Sequence, residues 1–286
     1  MTSQRELADR FHSLHVPGSP LALANVWDPA SARIVAATGA AAIATTSAGL
    51  AWGLGAADGN VLDRELMLGQ LARIVAAVSS ASTTLPVTAD IESGFGATAA
   101  EVAETVTRVL ETGAVGVNIE DAQPASAAAS EPLRPIAEQA ERLAAARAAA
   151  ERAGIPLYLN ARIDVFLRRV GEESDRLGAT LERARAYLDA GASGVFVLGV
   201  GDPETIAALT AGLDAPVNVT GRPGGPSVAE LGKLGVARIS MGAGIAEAAY
   251  ALVDRAAREL LGTGTYESVR ETMDYAAING LMKGEA

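Results

Sequence analysis

No cysteine occurs among the 286 residues, which excludes disulfides, thiolate nucleophiles, Cys-ligated zinc and iron–sulfur clusters. Histidine is limited to His12 and His15, both ahead of the first strand pattern, so a zinc site built on imidazoles is disfavoured. They read as surface or N-terminal packing residues. Lysine is limited to Lys233, in a helical pattern, and Lys283, in the tail. A Schiff-base or pyridoxal phosphate enzyme needs a lysine inside its site, and neither position suits. Aromatics make up only 4% and the formal net charge is −11, so the chain lacks a stacking surface for bases and repels a polyanion. Nucleic acid is therefore not expected as a partner. No stretch reaches 18 uncharged apolar residues with membrane flanks, and residues 1–10 mix charges of both signs, which argues against membrane spanning and secretion. These absences agree with a cytoplasmic protein whose chemistry rests on carboxylates, arginine, hydroxyls and backbone amides.

What is present is 49% hydrophobic, enough for a large core, at a length close to that of one complete α/β barrel. Short apolar runs alternate with longer Ala/Leu/Glu/Arg stretches of helical spacing. Eight strands are expected, at Leu21–Trp27, Ala41–Ser47, Pro86–Glu92, Gly116–Asp121, Leu157–Arg162, Gly194–Leu198, Pro216–Val219 and Ala237–Met241. Helices are expected at Ala30–Thr38, Arg64–Ser79, Ala99–Glu111, Pro135–Ala153, Glu173–Asp189, Pro203–Ala211, Ser227–Leu234, Ile245–Leu261 and Thr265–Leu281. Gly39, Gly113, Gly154, Gly191 and Gly235 stand where a helix C-cap needs positive φ. The pattern predicts a single (β/α)8 TIM barrel over residues 1–286, in preference to an open doubly wound sheet. Residues 1–20 form an N-terminal helical lead-in and 265–286 a C-terminal helical extension. The small-residue segment Ala122–Ser130 reads as a mobile loop.

Barrel strands carry apolar side chains, so polar groups gathered at their C-terminal ends call for a reason. Strand one ends in Trp27-Asp28, strand two in Thr45-Thr46-Ser47, strand three in Asp90-Ile91-Glu92, strand four in Asn118-Ile119-Glu120-Asp121, strand five in Asn160-Ala161-Arg162-Ile163-Asp164, and strand seven in Asn218. Acids on successive strands repel one another unless a cation sits among them or each caps a helix or pairs with an arginine. Asp90 and Glu92 are two apart and on an extended strand would share one face, with Glu120 approaching from the next. Oxygen-only ligands favour Mg²⁺ or Mn²⁺. Arg162 either forks onto a substrate carboxylate or pairs with Asp164 or Glu120. Ser47-Ala48-Gly49 brings a hydroxyl and free amides suited to an anion. Trp27, Asp28, Asn160 and Asn218 complete the candidate substrate-binding set. The segments 221–227 and 242–244 either hold phosphate or form tight turns.

Taken in order, Asn25-Val26-Trp27-Asp28, Thr45-Thr46-Ser47-Ala48-Gly49, Ala57-Asp58-Gly59, Asp90-Ile91-Glu92-Ser93-Gly94-Phe95-Gly96, Asn118-Ile119-Glu120-Asp121 and Asn160-Ala161-Arg162-Ile163-Asp164 resemble the isocitrate lyase/phosphoenolpyruvate mutase superfamily. The resemblance implies a barrel whose last helix is exchanged between subunits of a homodimer or homotetramer. It also implies Mg²⁺ near Asp90, Glu92 and Glu120, with Asp58 close by. Ser47 and the amides of Ala48 and Gly49 would hold a small carboxylate substrate, and Arg162 would support the reacting anion. Asp58, Glu120 and Arg162 are then the candidate catalytic residues, with Tyr158 a further candidate proton carrier. The superfamily acts on 2-oxo acids or makes enolates, breaking C–C or C–P bonds. Its isocitrate-cleaving members carry a Cys-Gly-His gating loop, and its phosphonomutases a lysine and an asparagine there, whereas residues 122–135 hold none of these. The expected activity is a Mg²⁺-dependent lyase that cleaves or decarboxylates a small 2-oxo or 2-hydroxy carboxylate. The alternatives are C–P mutase or hydrolase chemistry and a non-catalytic 2-oxo acid binding protein.

Overall fold

A computed structural model describes residues 2–79, 84–123 and 132–284. All eight expected strand positions are occupied, and all run parallel in one sheet. The first is broken in two: β1 (Leu21–Leu23) pairs with the last strand, β9 (Arg238–Ser240), while β2 (Asn25–Val26) pairs with β3 (Ile43–Thr45). Only Ala24 separates the halves, so the sheet returns on itself through one kinked strand. The remaining strands are β4 (Val87–Asp90), β5 (Gly116–Glu120), β6 (Tyr158–Ile163), β7 (Gly194–Val197) and β8 (Val217–Thr220), each hydrogen-bonded to its neighbours in sequence. Asn25 fastens the kink: its amide nitrogen donates to Thr45 O at 3.0 Å and its Oδ1 accepts from Met241 N at 2.8 Å.

Eleven α-helices are described: α1 (Gln4–Ser13), α2 (Pro29–Ala37), α3 (Ser47–Gly53), α4 (Arg64–Ala77), α5 (Ala99–Glu111), α6 (Ile136–Arg152), α7 (Arg176–Asp189), α8 (Pro203–Ala211), α9 (Val228–Lys233), α10 (Gly244–Gly262) and α11 (Tyr275–Lys283). Their starts are written locally. Thr98 and Glu101 close a reciprocal capping box on α5, and Ser227 and Glu230 do the same on α9. Against the sheet, α5 buries Val102, Val106, Val109 and Leu110, each contributing roughly 1.5–3 kcal/mol over exposure. The positive-φ glycines fall where expected, as at Gly191 (φ 100°), whose carbonyl accepts from Arg147 Nε at 2.9 Å. The C-terminal extension differs from one continuous helix. A 3-10 turn at Glu267–Val269 precedes α11, which docks on α2 where Arg33 Nη1 donates to Leu281 O and Met282 O.

The N-terminal lead-in closes the bottom of the barrel. Leu7, Ala8 and Phe11 of α1 pack on Leu21, Leu23, Ala42, Ala44, Val115 and Tyr158. Gly116 makes room, since a Cβ there would lie 2.8 Å from both Phe11 Cε1 and Thr88 Oγ1. His15 is buried in this plug, stacked on Tyr158 at 3.8 Å, with its Nδ1 against Phe11 O at 2.8 Å. Both histidines are thus packing residues. Tyr158, at the start of β6, belongs to the plug at the end opposite the strand termini, which removes it as a proton carrier.

Burial, with the nearby Arg238 charge, pushes His15 down to about 3, so it takes up a proton readily only in the unfolded chain. Its stabilising contribution is full above the unfolded value near 6.5 and is lost as pH falls from there toward 3. Urea denaturation at pH 7 and pH 5.5 should therefore show the wild type losing about 1 kcal/mol more than His15→Gln over that interval.

Candidate functional site

The C-terminal ends of the strands bring together Ser47, Asp90, Glu92, Glu120, Arg162 and Asp164. Thr45 Oγ1 accepts the Asp90 amide at 2.9 Å, and Ser47 Oγ donates to Asp90 Oδ2 at 3.1 Å. Glu92 reaches this group differently from the expected shared strand face. Strand β4 ends at Asp90, and Glu92 adopts φ 51°, a left-handed conformation uncommon outside glycine. That turn folds its own amide back onto Asp90 Oδ1 at 3.3 Å. Its carboxylate is then gripped from across the mouth by the amides of Gly59 and Asn60, the latter also left-handed at φ 63°. Ser93 Oγ donates to Asn60 Oδ1 at 2.8 Å and locks the two loops together. Asp58, exposed on that loop, contributes its charge to Asp90 and Glu92.

Burial pushes Asp90 above the usual carboxylate range, with Asp58 adding to the rise and Arg162 opposing it. Glu92 is pushed up to about 7 by burial and by Asp90 and Asp58, against the pull of the Asn60 and Gly59 amides. Glu120 is raised by burial and by Asp164, Asp90 and Glu92, although Arg162 Nη1 lies 2.6 Å from its Oε2. Burial alone would lower Arg162, yet Glu120 and Asp164 hold it firmly protonated.

Arg162 does not present an open fork. Its Nε and Nη2 grip Asp164 at 2.7 and 2.8 Å, leaving Nη1 for Glu120. Asp164 is in turn placed by Asp121, whose Oδ1 accepts the Asp164 amide at 3.0 Å. Tyr187 and Arg183 hold Asp121 Oδ2 from α7, and burial raises Asp121 to about 6. This supporting set escaped the sequence reading, because the residues that complete it lie more than sixty positions apart. Only Asp121 and Asp164, quoted in the strand-end strings, hinted at it.

The Ser47-Ala48-Gly49 segment is the first turn of α3 rather than a loop; its amides have no intrahelical acceptor, so the expected free donors are present. Gly49 is required there, since a Cβ would lie 2.8 Å from Thr46 Cγ2 and 3.1 Å from Trp27 Cβ. Trp27 is half-buried beside this turn. Asp28 is differently employed: its Oδ1 caps α2 through Ser31 N at 2.6 Å. Asn160 and Asn218 form the buried floor, Asn160 Nδ2 donating to Asn118 Oδ1 at 2.9 Å and to Asn218 Oδ1 at 3.1 Å. The segment 221–227 does not join the carboxylates; it lines an outer cleft of about 580 Å³ with Gly201, Pro203 and Lys233. Of the segment 122–130, Ala122 and Gln123 are described and the rest lies outside the described residues, so the expected mobility is not addressed. Among the described residues no three Asp, Glu or His side chains converge closely enough to hold an ion directly.

This geometry agrees with the comparison to known proteins, in which the family model for phosphoenolpyruvate phosphomutase matches residues 11–261. The chain belongs to this family. An uncharacterized protein of Mycobacterium tuberculosis (strain ATCC 25618 / H37Rv) is 36% identical over 247 residues, 84% of this chain and 86% of that protein. The oxaloacetate decarboxylase of Chromohalobacter salexigens is 31% identical over 285 residues, 96% of this chain and 88% of that enzyme. A solved structure from Burkholderia cenocepacia J2315, provisionally assigned as a phosphonomutase, is 46% identical with a TM-score of 0.82, covering 88% of this chain and 99% of that one. The phosphoenolpyruvate phosphomutase family lies within the isocitrate lyase/phosphoenolpyruvate mutase superfamily of lyases and mutases, and the chain is an enzyme of that class.

Within the family frame, the Arg162–Asp164 pair is the site's structural anchor. Asp164→Asn leaves a largely buried guanidinium half-paired and should cost about 3 kcal/mol in urea denaturation. Arg168→Ala, which removes only a 3.9 Å contact from an exposed side chain, should cost well under ~1 kcal/mol.

Proposed function

We propose that the protein is a Mg²⁺-dependent lyase that cleaves or decarboxylates a small 2-oxo or 2-hydroxy carboxylate. The observation that carries this reading is the excess of carboxylates packed around one arginine beside free first-turn amides, all at the C-terminal end of the barrel. Asp90, Glu92 and Glu120 are the residues that would hold the ion. Their donor set fits it: every ligand atom is oxygen, and their mutual repulsion is complementary to a divalent charge. Among the described residues no three side chains converge tightly, so water would complete the coordination. When bound, Mg²⁺ supplies a Lewis-acidic charge that polarises the 2-oxo group.

The chain's own groups do the rest. The amides of Ala48 and Gly49 with Ser47 Oγ receive the substrate carboxylate. Arg162, held charged by Glu120 and Asp164 and with its donors engaged by them, acts through its field on the negative charge that develops as the carbon–carbon electron pair moves toward the carbonyl oxygen. In a decarboxylation that pair leaves CO₂ behind, and the resulting enolate takes one proton at carbon. Glu120, raised by burial, and Asp58, on the loop that covers Glu92, are the proton carriers within reach of the site.

The assembly we propose is a homodimer or homotetramer, with one C-terminal helix, α10, exchanged between copies. It is supported by α10, nineteen residues long with Ala246 as its one buried residue, whose Tyr250, Val253 and Leu260 form an exposed apolar stripe at 40%, 64% and 57%. A face of this kind is covered in a stable soluble protein.

Purified protein with Mg²⁺ should consume one member of a panel of oxaloacetate, 2-methylisocitrate, isocitrate, 2-hydroxy dicarboxylates and phosphonopyruvate, followed by NMR. Appearance of pyruvate, glyoxylate or succinate identifies a lyase, release of phosphate identifies C–P chemistry, and line broadening without turnover identifies a binding protein. Asp90→Ala should abolish Mg²⁺-dependent ligand binding with the circular dichroism spectrum unchanged; binding that survives would refute the metal assignment. In sedimentation velocity the wild type should run as a dimer or tetramer, and Val253→Glu/Leu260→Glu as a monomer.

A further inference from the structure

Below the carboxylates the barrel interior carries a second cation. Arg238, at the start of β9, is 1% exposed, although its position in a strand of the sheet would suit leucine or methionine. Its Nη2 makes one long contact, 3.4 Å to Asn118 Oδ1, while Nε and Nη1 have no protein partner. None of the ion pairs among the described residues includes it. Under the guanidinium lies the α1 plug, with the Phe11 ring centroid 5.9 Å from Cζ and Tyr158 and His15 alongside. Above it lies the amide layer of Asn118, Asn160 and Asn218, in which Asn160 Oδ1 is also without a partner.

Burying an unpaired guanidinium is costly, and an apolar side chain of equal volume would fill the barrel centre more stably. The compensation lies one layer up. Asp90, Glu120 and Asp164 crowd Arg162 at the mouth, with Glu92 and Asp58 adding their charge beside Asp90, and Arg162 is already engaged by Glu120 and Asp164. Arg238 therefore stands as a fixed positive charge beneath an acidic excess. Burial lowers it only to about 10, with Tyr158 and the Asp90 charge opposing the fall, so it stays protonated at neutral pH.

We propose that Arg238 is a positioning residue whose fixed charge offsets the acidic excess of the site above it and so limits that site's affinity for its divalent cation. It would keep the ion exchangeable instead of trapped, and would favour anionic substrate over a second cation in the mouth. The proposal rests on the reading of Asp90, Glu92 and Glu120 as the cation site.

The test is calorimetric titration of Mg²⁺ into the substrate-free full chain as wild type, Arg238→Met and Arg238→Lys. Losing one positive charge at this depth should tighten Mg²⁺ binding by roughly tenfold in Arg238→Met. Arg238→Lys, which keeps the charge, should stay within about twofold of wild type. An Arg238→Met protein that is less heat-stable but binds Mg²⁺ as the wild type does would overturn the proposal and leave a purely structural arginine. A shift as large in the lysine variant would overturn it too. If the wild type itself binds no Mg²⁺, it is the cation-site reading that fails. Should Arg238→Met not fold, Arg238→Gln removes the charge, keeps hydrogen-bonding capacity and carries the same expectation.

Discussion

Carboxylates crowded into the end of a nearly closed sheet repel one another, and much of the surrounding structure holds them in place. The grip comes from three directions. Thr45 at the end of the neighbouring strand and Ser47 at the start of α3 hold Asp90. The 57–62 loop holds Glu92 through two backbone amides. Arg162 ties Glu120 to Asp164, and Asp164 is fixed in turn by Asp121, which Arg183 and Tyr187 hold. Two non-glycine residues in the left-handed region, Asn60 and Glu92, meet at the point of closest approach. Each such residue costs of order 1–3 kcal/mol, and strain of this kind persists only where neighbouring bonds over-determine the geometry.

Closure at the other end makes the arrangement rigid. The α1 plug seals the bottom with Phe11, His15 and Tyr158, and Gly116 lets the ring in. Between plug and mouth the interior is polar, with three asparagines and one arginine in place of the usual apolar layers. A packed interior of hydrogen-bonded amides offers little freedom to the strand ends above it, which suits a site where charge must be placed in advance of the substrate. The kink at Ala24 serves both ends. Leu21 and Leu23 face the plug, whereas Asn25, two residues on, reaches across to Thr45 and Met241 at the mouth.

Most of the barrel could be read from the chain because each βα unit carries its own punctuation. Capping boxes such as Thr98–Glu101 and positive-φ glycines such as Gly191 act within a few residues, so they show in a single sequence. The break in the first strand, the start of α3 at Ser47 and the cap role of Asp28 were less legible. Each depends on what packs alongside: α3 begins where Trp27 and Ala246 leave room only for Gly49, and Asp28 turns to Ser31 because Pro29 opens a helix there.

The sequence by itself determined the fold class, the eight strand positions, and the gathering of Asp90, Glu120 and Arg162 at one end, because side-chain alternation and parallel connections put strand-terminal residues on the same rim. It also determined the exclusion of cysteine chemistry, since a group that is absent cannot be supplied by folding, whereas its two histidines and two lysines were set aside by their positions. Only the tertiary structure decided how the charges are shared. Whether Arg162 faces a substrate or Asp164, whether Glu92 lies along its strand or turns back, and whether Arg238 has a counter-ion all depend on distances between residues far apart in the chain. Electrostatic energy varies with those distances and with burial, neither of which a linear pattern encodes.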